Sequence, residues 1–297
     1  MITSDRLITA MITPFKDNGD VDFEVAKKLA VALSGSGSDG ILIGGTTGES
    51  PTLSDDEKLR LFKDVKEAVG ESTRVIAGTT DNNNSKSIEL SKEAENLGVD
   101  ALLLTVPAYN KPTQQGLIDH FHKIADSVKM PGILYNVPSR TSLNMSADTT
   151  LTLSSHENII GIKEASSDLG QITRIITETA DSDFRVWSGN DDEAFSIMAL
   201  GGFGVVSVAS NIIGTQIQRM IGTLLEGEIE SAAMQHKKLL PLFQALFWVT
   251  NPILIKRSLN LSGFKVGGLR LPMLDSRELE GEFGQLLDRY EIDVTKS

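Results

Sequence analysis

Short apolar runs rich in Val, Ile and Leu recur along the 297 residues. LITAMIT begins at Leu7, GILIGG at Gly40, RVIAGT at Arg74 and ALLLTV at Ala101; GILYNV follows from Gly132, IIGIKE from Ile159, FRVWSG from Phe184 and GVVSV from Gly204. These runs are continuous, not alternating, as strands buried on both faces of a parallel sheet are, and they predict eight strands. Between most of them lies one amphipathic helical stretch. Leu59, Phe62, Val65 and Val69 fall at helical spacing within 55–69, and Ser54 with Glu57 three residues on forms a capping-box pattern ahead of them. A second helix is predicted over 85–97, ending at Gly98 as a C-cap residue. Strand starts 20 to 34 residues apart suit one right-handed βα unit each.

Eight such units within 1–225 predict an α/β fold of the closed (β/α)8 barrel type. The remainder, 226–297, reads as a helical C-terminal region, with helices over 228–248, 251–261 and 278–290. A doubly wound open sheet is the alternative, but it rarely strings together eight consecutive βα units without a break in composition. No linker, low-complexity tract or sharp repeat interrupts the chain.

Composition narrows the chemistry. With 28 Lys+Arg against 40 Asp+Glu the net charge is −12, so no basic stripe favours nucleic acid or an anionic membrane as partner. The chain has no cysteine, which excludes disulfides, Cys-ligated metal centres and a thiol nucleophile. The start, MITSDRLITAMITPF, has no basic segment followed by an apolar run, and no apolar stretch approaches ~18 residues; a soluble cytoplasmic protein is expected.

Two formal motifs carry little. Gly35-Ser36-Gly37-Ser38-Asp39-Gly40 satisfies GxGxxG but precedes a strand, whereas a dinucleotide fingerprint follows one, so it reads as a helix-to-strand turn. His120 and His122 are two apart on a helix and point to different faces, so they cannot share a metal. His156 and His236 stand alone and are expected at the surface. No metal site is expected.

In a barrel, chemistry gathers at the C-terminal ends of the strands. After the second strand comes Gly44-Gly45-Thr46-Thr47-Gly48-Glu49-Ser50, a glycine-bracketed turn whose hydroxyls and N–H groups suit a small anion; a plain βα turn with helix caps is the competing reading. Two of the chain's three tyrosines sit at adjacent strand ends, Tyr109 after the fourth and Tyr135 in the fifth. Lys163 alone among 17 lysines lies inside a strand-like apolar run. It should share a face with Ile159 and Gly161, the glycine leaving room for a ligand. Desolvation there would favour the neutral amine, a nucleophile toward carbonyls; a lysine snorkelling from the strand end, or paired with Glu164, is the alternative. Arg140, in YNVPSRT, has the planar fork that suits a carboxylate; a surface arginine is the alternative, and position alone does not decide between them.

GTTGES, VPAYNKP, YNVPSRT and GIKEAS occur in this order, with MITPF before them and Asn251-Pro252-Ile253 and Leu269-Arg270-Leu271-Pro272 after. Over essentially its whole length the chain resembles the pyruvate-dependent class I aldolase family, which includes N-acetylneuraminate lyase. Within it, the resemblance is to synthases that condense pyruvate with L-aspartate-4-semialdehyde in the first committed step toward diaminopimelate and lysine. It implies that Lys163 forms the Schiff base with pyruvate and that Tyr135, Thr46 and Tyr109 form a proton relay, Tyr109 coming from a neighbouring subunit. Thr47 and the backbone of Val206 would hold pyruvate, and Arg140 the carboxylate of the semialdehyde. No cofactor or metal is implied, and the assembly would be a homotetramer built as a dimer of dimers. A sugar-acid aldolase, of the N-acetylneuraminate lyase or 2-keto-3-deoxy-acid type, shares Lys163 and Tyr135 and is the alternative; Arg140 favours the short carboxylated aldehyde. A barrel that only binds its ligand is the further rival. Lysine-inhibited relatives carry histidines, a glutamate and a second tyrosine where this chain has Asp55, Lys58, Lys86 and Ala108, although Asn82 and Ser50 match. Weak or absent lysine inhibition is therefore expected.

Overall fold

The computed structural model describes residues 4–294; the last three residues of the predicted C-terminal region and the first three of the MITSDRLITAMITPF segment lie outside them. Eight parallel strands close on themselves in sequence order: β1 (Leu7–Ala10), β2 (Gly40–Ile43), β3 (Arg74–Gly78), β4 (Ala101–Thr105), β5 (Gly132–Asn136), β6 (Ile159–Glu164), β7 (Arg185–Ser188) and β8 (Gly204–Ser207), with β8 paired back to β1. Each apolar run of the sequence is therefore a strand. Helices return the chain between them: α1 (Phe23–Gly35), α2 (Asp55–Val69), α3 (Asn84–Asn96), α4 (Gln114–Ala125), the short α5 (Pro138–Thr141), α6 (Ala147–Leu153), α7 (Leu169–Glu178), α8 (Ala194–Ala199) and α9 (Ser210–Leu225). Then α10 (Ile229–Ala245), α11 (Ile253–Leu261) and α12 (Glu280–Leu287) follow.

Local chemistry sets the boundaries. Ser54 Oγ accepts from Glu57 N–H at 3.2 Å while Glu57 Oε2 accepts from Ser54 N–H at 2.9 Å, so two orphan donors at the start of α2 are satisfied reciprocally. The stretch from Gly35 to Gly40 is the turn between α1 and β2, with Gly37 at φ +95°, a conformation that glycine adopts without steric cost.

The strands sort their side chains into two layers. Leu7, Ile41, Val75, Leu102, Leu134, Ile162, Val186 and Val205 face the helices in one continuous core, which runs on to include Leu242 and Phe243 of α10, Leu254 of α11 and Phe283 of α12. Ile8, Leu42, Ile76, Leu103, Ile133, Trp187 and Val206 point into the barrel. The lower interior is thus filled, and Trp187 anchors it by donating its indole N–H to the Asp5 carbonyl at 2.8 Å.

Three expectations need correction. Ile159 does not share a face with Lys163: the β5–β6 register shifts after Gly132, which pairs with Ile159 while Ile133 pairs with Gly161, and the shift turns Ile159 outward into the helix-facing core. Nor does Gly161 leave room for a ligand. A Cβ there would lie 2.3 Å from the Arg185 carbonyl oxygen and 2.5 Å from Trp187 Cζ3, so the space belongs to the indole. Finally, His236 is a core residue stacked on Phe195 with ring centroids 5.6 Å apart, and His156 meets Asp126 at 3.0 Å and the His122 ring at 5.4 Å.

Candidate active site

Above the filled interior, at the C-terminal ends of the strands, lies a cavity of about 370 Å³. Thr46, Thr47, Tyr135, Arg140 and Lys163 all contribute to its wall. They are brought together by register: Tyr135 pairs with Lys163 across β5 and β6, and both point inward from strands that carry no other polar group inside. Lys163 Nζ stands over the Tyr135 ring, 4.2 Å from its centroid.

Burial governs the titration of this pair. Desolvation pulls the Lys163 ammonium down to about 7; the buried carboxylate of Asp191 opposes the shift and the Arg140 guanidinium adds to it. A substantial fraction is therefore neutral amine at physiological pH. Desolvation pushes the Tyr135 phenol up to about 12, against the opposing effects of Arg140 and of a hydrogen bond with Thr46. Tyr135 accordingly keeps its proton and can give it up only as another arrives, which suits a relay member and not a free phenolate.

The two carboxylate-binding candidates flank the amine. Thr47 Oγ1 accepts from Asn251 Nδ2 at 2.9 Å, which leaves the Thr47 proton available for another acceptor. Arg140, exposed on α5 directly beyond β5, donates from Nη2 to the Asn251 carbonyl at 3.3 Å. Val206 packs its side chain into the barrel interior, and from this part of the chain Val208, two residues on, forms the cavity wall. Tyr109 is not part of this cavity: it stands 91% exposed at φ +68°, beyond β4.

Four groups escaped sequence reasoning. Gly189 is one: a Cβ there would collide with Ala165 Cβ at 2.7 Å and crowd Lys163 Cε at 3.2 Å, so glycine keeps the space beside the lysine stem open. Its place at the end of the FRVWSG run was the available signal. Asp191, fully buried, accepts from the N–H groups of Val208 and Ala209 at 3.0 Å each, fixing the cavity wall after β8. Glu164, on the outer face of β6, takes Asn136 Nδ2 at 3.1 Å and Ser166 N–H at 2.9 Å and so holds the turn behind Lys163. Asn251 arrives from the segment ahead of α11; the sequence marks it only within Asn251-Pro252-Ile253 and gives it no role.

A roomier hollow of about 480 Å³ opens beside α7 and the start of β7, but Arg185 is the one charged group in its wall. Its place at the C-terminal ends of the strands, with Lys163 and Tyr135 buried in its wall, makes the upper cavity the candidate active site. Among the described residues no helix is long and apolar enough to cross a membrane.

Comparison with known proteins agrees with this geometry. The model of the dihydrodipicolinate synthetase family matches residues 3–287. A 4-hydroxy-tetrahydrodipicolinate synthase of Dehalococcoides mccartyi is 53% identical over 290 residues, 97% of each chain. Among solved structures, a dihydrodipicolinate synthase from Bacillus anthracis superposes with a TM-score of 0.94 at 44% identity, covering 97% of this chain and 99% of that one. The enzyme of Cyanidioschyzon merolae, solved with lysine bound, superposes equally well at 0.94 and 44% identity, covering 96% and 98%. The chain belongs to the dihydrodipicolinate synthetase family.

Proposed function

We propose that the chain condenses pyruvate with L-aspartate-4-semialdehyde through an imine at Lys163, giving 4-hydroxy-tetrahydrodipicolinate. The observation that carries this reading is a lysine amine, held near neutrality by burial, at the floor of a cavity rimmed by two hydroxyls and a guanidinium. The family assignment supports it, and Arg140 in the cavity wall suits a short carboxylated aldehyde.

The chemistry runs through these groups. Neutral Lys163 adds to the keto carbon of pyruvate, and the carbinolamine hydroxyl leaves as water on accepting a proton relayed through Tyr135. The resulting iminium is an electron sink, so a methyl proton departs to leave an enamine. The enamine carbon attacks the aldehyde of the second substrate, whose oxygen takes up a proton. The amino group of that substrate then adds to the imine carbon and expels the Lys163 amine, closing the ring. Thr47 and the backbone near Val206 and Val208 hold the pyruvate carboxylate, while Arg140 receives the second carboxylate, where its planar fork suits a bidentate contact.

Thr46 and Tyr135 need a third relay member. The exposure of Tyr109 outside its own cavity supports a site completed by the Tyr109 of a second copy, and hence a homo-oligomer, as in the dimer of dimers that the family resemblance implies. A cytoplasmic location fits these substrates. An assay supplying pyruvate and aspartate semialdehyde should give the cyclic product, with sialic acid left uncleaved; cleavage of sialic acid without condensation would reverse the assignment.

A further inference from the structure

Glu49 has no part in the chemistry above, yet it is one of the most constrained residues of the molecule. It ends the Thr46-Thr47-Gly48-Glu49 turn in a left-handed backbone conformation, φ +55°, which is rare for a residue with a Cβ and persists only where the surroundings impose it. Its side chain is buried. Lys256 Nζ of α11 lies 2.6 Å from Glu49 Oε1, both side chains being 2% exposed. Glu49 Oε2 accepts from the Arg270 N–H at 3.0 Å.

Each partner is itself tied down. Lys256 donates to the Gly268 carbonyl at 2.6 Å and lies 4.0 Å from the Phe15 ring centroid. The Arg270 guanidinium bonds the carbonyls of Gly19 and Thr52, at 2.8 Å each, and is bidentate to Glu57 of α2. Backbone bonds carry the constraint toward the cavity, since Glu49 N–H donates to the Thr46 carbonyl at 3.0 Å and Thr13 Oγ1 donates to the Gly48 carbonyl at 2.7 Å. The C-terminal segment therefore grips the turn at two places: Asn251 at the Thr47 hydroxyl and Lys256 at the Glu49 carboxylate.

A buried ion pair is weak evidence for stability, because desolvating two charges offsets much of their attraction. Here it spends that cost on a fixed geometry directly beside Thr46 and Thr47. We infer that Glu49 is a positioning residue for the pyruvate site: clamped between Lys256 and the backbone of Arg270, it holds the turn that presents Thr46 and Thr47 to the substrate. This rests on the reading of Thr47 as a pyruvate ligand.

The test is the pyruvate concentration that gives half-maximal borohydride-trapped adduct, compared between wild type and Lys256→Met, with thermal stability measured alongside. Removing one partner leaves a buried charge unpaired and risks misfolding, so the charge-free double variant Glu49→Met/Lys256→Met carries the decision. Positioning predicts a folded double variant whose half-saturating pyruvate rises on the order of tenfold or more, while the adduct yield at saturation is kept, the signature of lost ground-state binding with intact chemistry. A folded double variant with the wild-type half-saturation overturns the inference and makes the pair purely structural. Wild-type protein that forms no adduct would instead overturn the Schiff-base reading, and this inference with it.

Discussion

Lys163 shows how one charged side chain inside an apolar strand gains a neutral amine near pH 7 at a cost in stability. Its folded pKa of about 7 lies below the ordinary value of 10.5. Between those limits the unfolded chain binds more protons than the native one, so Lys163 makes stability rise with pH from about 7 to 10.5 and leaves its full penalty in place below 7. Lys163→Met should therefore be the more stable protein near pH 6, with its advantage over wild type shrinking toward pH 10, as read by denaturant unfolding across that range. Tyr135→Phe keeps the ring beneath the amine and removes only the proton; kcat is expected to fall by about 10²–10⁴, the usual span for a lost acid–base group, with a much smaller change in the KM for pyruvate. Lys163 was legible in the sequence because a charge amid Ile159-Ile160-Gly161-Ile162 contradicts its surroundings. Asp191 was not, nor was the contact of Asn251 with Thr47, since neighbouring acids and a lone amide look like a solvated loop until the fold buries them beside Lys163 and Thr47.

At the scale of elements, the eight continuous apolar runs read directly as strands because parallel barrel strands are covered on both faces. The register shift in β6, which turns Ile159 outward, was invisible to a strict period of two, and the use of Gly161 was invisible because the atoms that fill its space belong to β7. That glycine accommodates Trp187 and the Arg185 carbonyl. Gly161→Ala is accordingly expected to cost at least the ~1–3 kcal/mol typical of overpacking, because a backbone oxygen cannot swing away as a side-chain tip can; chemical denaturation gives the figure, and an unchanged midpoint would show that β6 and β7 can separate freely. The glycine-bracketed turn after β2 was legible as a candidate site, but its mooring to α11 and Arg270 was not, because Lys256 lies 207 residues beyond Glu49 in the chain (256 − 49).

For the whole molecule, the strand count predicts one barrel over 1–225 and a helical remainder, and the core is continuous from β1 through α12. We expect a chain ending at Leu225 to aggregate on expression, since it would uncover the faces that meet Phe243, Leu254 and Phe283 and would lose Asn251 and Lys256. On the proposed reading the net charge of −12 works against the pyruvate anion, whereas the semialdehyde, with one ammonium and one carboxylate, has no net charge; holding pyruvate then falls to the iminium and the turn at Thr47, and moderate salt should mildly favour its association. Regulation is expected to differ from that of lysine-inhibited relatives: Lys86, exposed on α3, stands where the resemblance places a carboxylate for an incoming ammonium, so millimolar lysine should leave the rate nearly unchanged, and strong inhibition would refute that alignment of charge. The most direct test of the central claim is the mass of the Lys163 peptide after treatment with pyruvate and borohydride together. The account predicts a carboxyethyl group fixed on Lys163 and no fixed adduct in Lys163→Ala; an unmodified Lys163 peptide, or an adduct that persists in Lys163→Ala, would contradict it.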